Sequence, residues 1–236
     1  MELAKPKLRF DSSGYYFIGL FALALLGFWP SYFSKFFSGK AGFSFYFHFH
    51  AIMMGLWIGA LVVQPILIRK KKLTWHRFIG KLTYLLMPLL FIAVMLLAHS
   101  RHPLDQENLD TALFVPFKDL LILGTMYIIA IWYRHDVHVH ARAMVATGIV
   151  FIEPALVRFI GHTFTSNGMV AYLATIAILY LLLIGLMIKE RKQKRGRWVF
   201  PLTLGMYIVV HAILISGVHI GIWQSFSKWF AGLPLT

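Results

Sequence analysis

Seven stretches of this chain are apolar for long enough to cross a lipid bilayer, which leaves few other folds open. A helix rises 1.5 Å per residue, so about 20 largely apolar residues span the roughly 30 Å of hydrocarbon. The stretches are residues 15–30, 45–68, 78–99, 116–133, 141–162, 169–188 and 199–223. They are continuous rather than alternating apolar and polar, so they read as helices and not as barrel strands. The connections are short, and the 236 residues form one expected transmembrane domain. The first stretch follows Lys5, Lys7 and Arg9 but lacks a small-residue cleavage site and ends in Phe28-Trp29-Pro30, so it reads as a helix rather than a signal peptide.

Composition agrees, with 59% apolar and only 14% charged residues. A soluble domain carries about 25% charged residues. The chain has no cysteine, which removes disulfides, thiolate metal sites and cysteine nucleophiles. A formal charge of +14 would suit nucleic acid if the cations formed one face. They fall instead in short runs between apolar stretches. With seven spans, one side receives Lys5, Lys7 and Arg9; Arg69 to Lys72, Arg77 and Lys81; Arg134 and Arg142; and the run from Lys189 to Arg197. The other side has only Lys35, Lys40, Arg101 and Lys228. This asymmetry puts the N-terminus in the cytoplasm and the C-terminus outside, with Trp29, Trp75, Trp132, Trp198 and Trp223 at the interfaces. The expected setting is the bacterial cytoplasmic (inner) membrane, with anionic lipid headgroups against the cytoplasmic face and no nucleic-acid partner.

Ionisable residues inside spans are costly and so mark candidate sites. Glu153 and His211 fall near mid-membrane, on spans five and seven. His48, His50, Asp119, Arg158 and His219 fall roughly 9–13 Å toward the external side. His99 and His162 end spans three and five, whereas His76 and His140 open them on the cytoplasmic side, with Gln64 close by. Lys118 lies within span four.

Imidazole is the commonest metal ligand. His50, Asp119, His162 and His219 come from four spans and could converge on a divalent metal such as zinc, or on a polar ligand. Glu153, Arg158 and His211 form a polar intramembrane group. Glu153 can pair with Arg158 or His211, beside the carbonyl that Pro154 frees. His76 and His140 each precede an apolar helix with a proline 12 or 14 residues later, so spans two to five read as two related hairpins forming a four-helix core. Two such imidazoles can hold a haem iron from opposite sides. Each histidine also has an ordinary alternative, as a helix cap or a lipid-phosphate contact.

Several specific chemistries are excluded. The clusters around His99–His102 and His135–His140 fall on opposite sides, so they cannot form one di-iron centre. No lysine in span seven offers a retinal Schiff base, and His211 and His219 are spaced wrongly for seven-span zinc hydrolases of the progestin and adiponectin receptor type.

The stretch from His48 to His162 resembles a widespread group of uncharacterised bacterial polytopic membrane proteins. The matching pieces are Phe47-His48-Phe49-His50 with Trp57 and Gln64-Pro65, then Trp75-His76-Arg77-Phe78-Ile79-Gly80-Lys81 with Tyr84 and Pro88. The third is His140-Ala141-Arg142-Ala143-Met144 with Pro154-Ala155 and Arg158. Its hairpin layout is similar to that of the transmembrane di-haem b cytochromes, which hold haem between paired histidines on a four-helix core. Those proteins place the pairs well inside the helices, whereas His76 and His140 stand at helix ends. Three functions follow as expectations: binding of haem b or a metal ion through His76 and His140 for electron transfer or a redox-linked step; a transporter or permease using Glu153, Arg158 and His211; and a zinc-dependent hydrolase built on the external histidine layer.

Overall fold

The computed structural model describes residues 13–40, 42–218 and 220–236. Among these residues all regular structure is helical, with no strand. The helices are α1 Ser13–Phe37, α2 Phe45–Arg69, α3 Leu73–Arg101, α4 Leu109–Trp132, α5 Val137–Thr163, α6 Gly168–Lys189, α7 Val199–Ile215 and α8 Gly221–Ala231. The first six are long and apolar enough to cross a membrane, and α7 is a shorter apolar helix of 17 residues. The chain is therefore built as a multi-pass, all-α membrane protein.

Local chemistry sets where these helices start and break. Asp136 and Asn167 cap α5 and α6, each accepting hydrogen bonds from backbone N–H groups of the first turn. Pro30 sits in a π-helical turn, Trp29–Phe33, where a proline cannot supply the regular hydrogen bond. Pro65, Pro88 and Pro116 lie inside α2, α3 and α4. In a bilayer such positions persist because neighbouring helices help satisfy the freed groups.

Several boundaries differ from the sequence reading, among them the end of α1 at Phe37 rather than residue 30 and the start of α3 at Leu73 rather than residue 78, and two others bear on the site. Helix α4 begins seven residues before Pro116, at Leu109, because Asn108 adopts the left-handed conformation that turns the chain into it. The last expected stretch is two helices, parted by a turn with Gly217 at φ +80°. Helix α8 folds back over α4: the Trp223 indole donates to the Asp110 carbonyl at 2.8 Å, and Gln224 donates to the Asp110 carboxylate at 3.1 Å.

One hydrophobic core runs through the bundle, from Trp57 and Leu61 on α2 through Leu90, Ile122, Met126 and Ala146 to Leu179, Leu183, Phe200 and Tyr207. It is wider than spans two to five, since α1, α6 and α7 contribute to it. The outer surface is apolar as well, with Leu85, Ile128, Leu181 and Val209 exposed along their helices. Water would not tolerate such a surface at this extent, whereas acyl chains match it.

Candidate functional site

Three of the bundle's buried ionisable side chains, Lys118, Glu153 and His211, meet where α4, α5, α6 and α7 converge. With α4 starting at Leu109, Lys118 stands about 14 Å along a helix roughly 36 Å long. Glu153 is about 24 Å along α5, and Tyr180 and His211 are each about 18 Å along α6 and α7. Lys118, Glu153 and Tyr180 are thus well inside their helices, and His211 lies about one turn, roughly 6 Å, from the end of α7.

Lys118 Nζ donates to Glu153 Oε1 at 2.6 Å and to Asp119 Oδ1 at 2.7 Å. His211 Nε2 lies 3.1 Å from Glu153 Oε2, and its Nδ1 lies 3.0 Å from the Tyr180 hydroxyl. The side chains of Lys118, Glu153 and His211 are 0%, 6% and 2% exposed, so water contributes almost nothing to their solvation. Ionised groups this deep persist only by solvating one another. One assignment satisfies every atom in the chain: Tyr180 donates to Nδ1, Nε2–H donates to Glu153, and Lys118 donates to both carboxylates. The result is a continuous hydrogen-bonded path from a phenol through an imidazole and a carboxylate to an ammonium. Tyr172 and Tyr207 flank His211, with ring centroids 6.0 and 5.3 Å away, and both of their hydroxyls are buried without a partner among the described residues.

The backbone explains the position of Glu153. Helix α5 consists of Val137–Ile149 and Ile152–Thr163, broken at Val150 and Phe151. Glu153 is in the first turn of the second half, where free N–H groups and the positive end of the helix dipole favour a carboxylate. Pro154 follows, at a position that needs no N–H within the helix. One turn later, Arg158 donates to the Pro154 carbonyl at 2.7 Å and lies over the Phe28 ring at 4.6 Å. It is within electrostatic reach of Asp119 and His50. Glu153 is therefore paired with His211 and Lys118, and Arg158 contacts Pro154 and Phe28 instead.

The other expected site residues are distributed as follows. His50 is half-buried, with its Nδ1 unpartnered among the described residues, and His162 is exposed in the last turn of α5. Asp119 is held by Lys118, and His219 lies outside the described residues. Among the described residues, no group of three or more His, Asp or Glu side chains is arranged to hold a metal ion. His140 donates its Nδ1–H to the Ala130 carbonyl at 2.8 Å, which leaves Nε2 as its basic nitrogen. His76 is within electrostatic reach of His140, and its own Nδ1 is buried without a partner. Gln64 donates to the His76 carbonyl at 3.2 Å. Three boundary histidines have structural partners: His48 with Tyr32, His99 with Thr236, and His102 with Gln106.

Sequence reasoning passed over Lys118 and the tyrosines. The available signal was a lysine in an apolar run, Lys118, opposite in charge to a lone Glu in the next span. Treating Pro116 as a helix start placed Lys118 at the boundary, where a lysine needs no partner. Comparison of the chain with protein-family models, with curated proteins and with solved structures finds no match.

Proposed function

We propose that this chain is a seven-crossing protein of the bacterial cytoplasmic membrane, N-terminus inside, that carries a small polar solute together with protons. Glu153 is the proton-carrying carboxylate in this reading. The observation that supports it is a carboxylate in the first turn of a half-helix, deep in the bundle, bonded at once to a lysine and a histidine from two other helices. Broken helices lining an ionisable cluster near the bilayer midplane are how many carriers build coupled sites. Protonating Glu153 weakens its hold on Lys118 and on His211. The three helices then lose their shared electrostatic tie, so one proton changes the packing between α4, α5 and α7. Arg158 stands one turn away as a cation for an anionic group of the solute.

The test is proton movement into proteoliposomes under an imposed potassium-diffusion potential, with a mixture of amino acids and small organic acids outside, read by entrapped pyranine. The wild type acidifies the lumen, and Glu153→Gln abolishes the signal. Equal rates in the two proteins would remove Glu153 from the mechanism.

The posture of His140 favours a second reading, in which His76 and His140 hold haem b or a divalent metal for electron transfer. A ligating imidazole usually donates its other N–H to a carbonyl or carboxylate, as His140 does to Ala130. The unpartnered nitrogen of His76 on the neighbouring helix suits the same role. His76 and His140 would hold such a group, which would supply one-electron chemistry when bound. Protein expressed with excess haem precursor would then show a Soret band that His140→Ala removes. A colourless, metal-free preparation would reject this reading.

A further inference from the structure

The connection between α6 and α7 is unlike an ordinary loose basic loop, because it is braced at both ends. At its start, Arg142 of α5, fully buried, donates from Nε to Glu190 at 2.5 Å and from Nη1 to the His138 carbonyl at 2.6 Å. Toward its end, Arg195 pairs with Asp136 at 3.3 Å. Next to it Gly196, at φ +72°, lies so close to the His138 carbonyl that a Cβ would fall 2.8 Å from the oxygen. Only glycine fits there, on both conformational and steric grounds.

These braces consume both nearby carboxylates and leave four cations unmatched. Arg191, Lys192, Lys194 and Arg197 line a cleft of about 700 Å³ with Trp198, and among the described residues none of the four is ion-paired. Arg197 also donates to the Arg191 carbonyl at 3.0 Å, which ties the Arg197 guanidinium to the backbone of this connection. The membrane boundary passes beside the cleft, marked by exposed Trp198 packed edge-on against Tyr133, with Trp132 exposed nearby.

We propose that this cleft binds the phosphate headgroup of an anionic phospholipid, with a two-phosphate lipid as the best match for four fixed cations. Basic clefts between helices at a membrane face recognise headgroups through just this combination of fixed charge and interfacial aromatics. The proposal rests on α6 and α7 being embedded in the bilayer and on no part of the Glu153 network. Its failure would therefore leave the proton-carrier reading standing.

The experiment is a native mass spectrometry titration of the detergent-purified full chain with cardiolipin, phosphatidylcholine and inorganic pyrophosphate. The wild type binds cardiolipin in preference to phosphatidylcholine. Arg191→Gln/Lys194→Gln/Arg197→Gln weakens cardiolipin at least roughly tenfold, whereas the charge-matched Lys70→Gln/Lys71→Gln/Lys72→Gln leaves it unchanged. Lys194→Gln alone, at an exposed position that touches no brace, weakens it roughly threefold with an unchanged unfolding temperature. Equal weakening by both triple variants would mean diffuse surface charge and would overturn the site. No preference over phosphatidylcholine, or displacement of cardiolipin by pyrophosphate, would overturn the lipid as its ligand.

Discussion

Lys118 Nζ sits 2.6 Å from Glu153 Oε1, joining α4 to α5 in a place that water does not reach. Neither charge can be removed alone without stranding the other. Lys118→Met is expected to destabilise the protein by about 3–5 kcal/mol, because buried Glu153 loses its cation and keeps only His211, and half-buried Asp119 loses the same partner. Adding Glu153→Gln to that variant restores a large part of the loss, since the buried carboxylate is neutralised and the remaining one, Asp119, keeps some access to water. Thermal unfolding in detergent of the two single variants and the double variant measures this coupling. Additive losses would mean that the pair is not shared.

His211 is held from both sides, by Glu153 and by Tyr180. Tyr180→Phe removes the hydroxyl and leaves Nδ1 buried without a partner, at about 1–3 kcal/mol. His211→Phe keeps the aromatic contacts with Tyr207 and Tyr180 but cuts the path between phenol and carboxylate. It is expected to fold, and to slow pyranine-detected proton movement at least roughly tenfold. Wild-type rates in His211→Phe would show that protons reach Glu153 by another route.

Helix α1 is tied to the second half of α5 by a close approach in which Gly27 lies against the Ala155 carbonyl. A Cβ at Gly27 meets backbone that cannot move aside, whereas Gly19 on the same helix has open space around it. Gly27→Ala is expected to lower stability by about 1–3 kcal/mol through overpacking, and Gly19→Ala to change it by less than about 1 kcal/mol. Paired unfolding curves of the two variants test this. Equal effects would mean that the contact carries no energy.

The helices themselves could be read from the sequence because hydrocarbon imposes length and apolarity on each span independently of its neighbours. Gly168–Lys189 needed nothing beyond that rule, whereas α3 begins five residues ahead of its apolar stretch, at Leu73. What escaped depends on partners. The start of α4 is set by Asn108 in a left-handed conformation, and the end of α7 by the turn at Gly217; neither leaves a hydropathy signal. The depth of Lys118 followed from that missed start. Glu153 and His211 stood out because a charge in mid-span is rare whatever surrounds it. By contrast Tyr172, Tyr180 and Tyr207 look like ordinary membrane aromatics until their hydroxyls are seen around His211. The paired roles of Arg142 and Glu190 are also contact-dependent, since they lie 48 residues apart.

The chain's lack of cysteine makes its orientation directly measurable. Asp105→Cys, between α3 and α4, is expected to react with a membrane-impermeant maleimide on intact cells. Gln193→Cys, in the α6–α7 connection, should react only after permeabilisation. Labelling of both on intact cells, or the reverse pattern, would invalidate the proposed seven-crossing topology.

Proton capture by Glu153 inside the bundle can be followed without knowing the solute, from infrared difference spectra of the reconstituted protein between high and low pH. The wild type should gain a protonated-carboxyl C=O band on acidification that persists in Asp119→Asn and disappears in Glu153→Gln. Identical spectra from wild type and Glu153→Gln across the whole pH range would make the Lys118–Glu153–His211 network a structural tie alone, and the carrier account would fall.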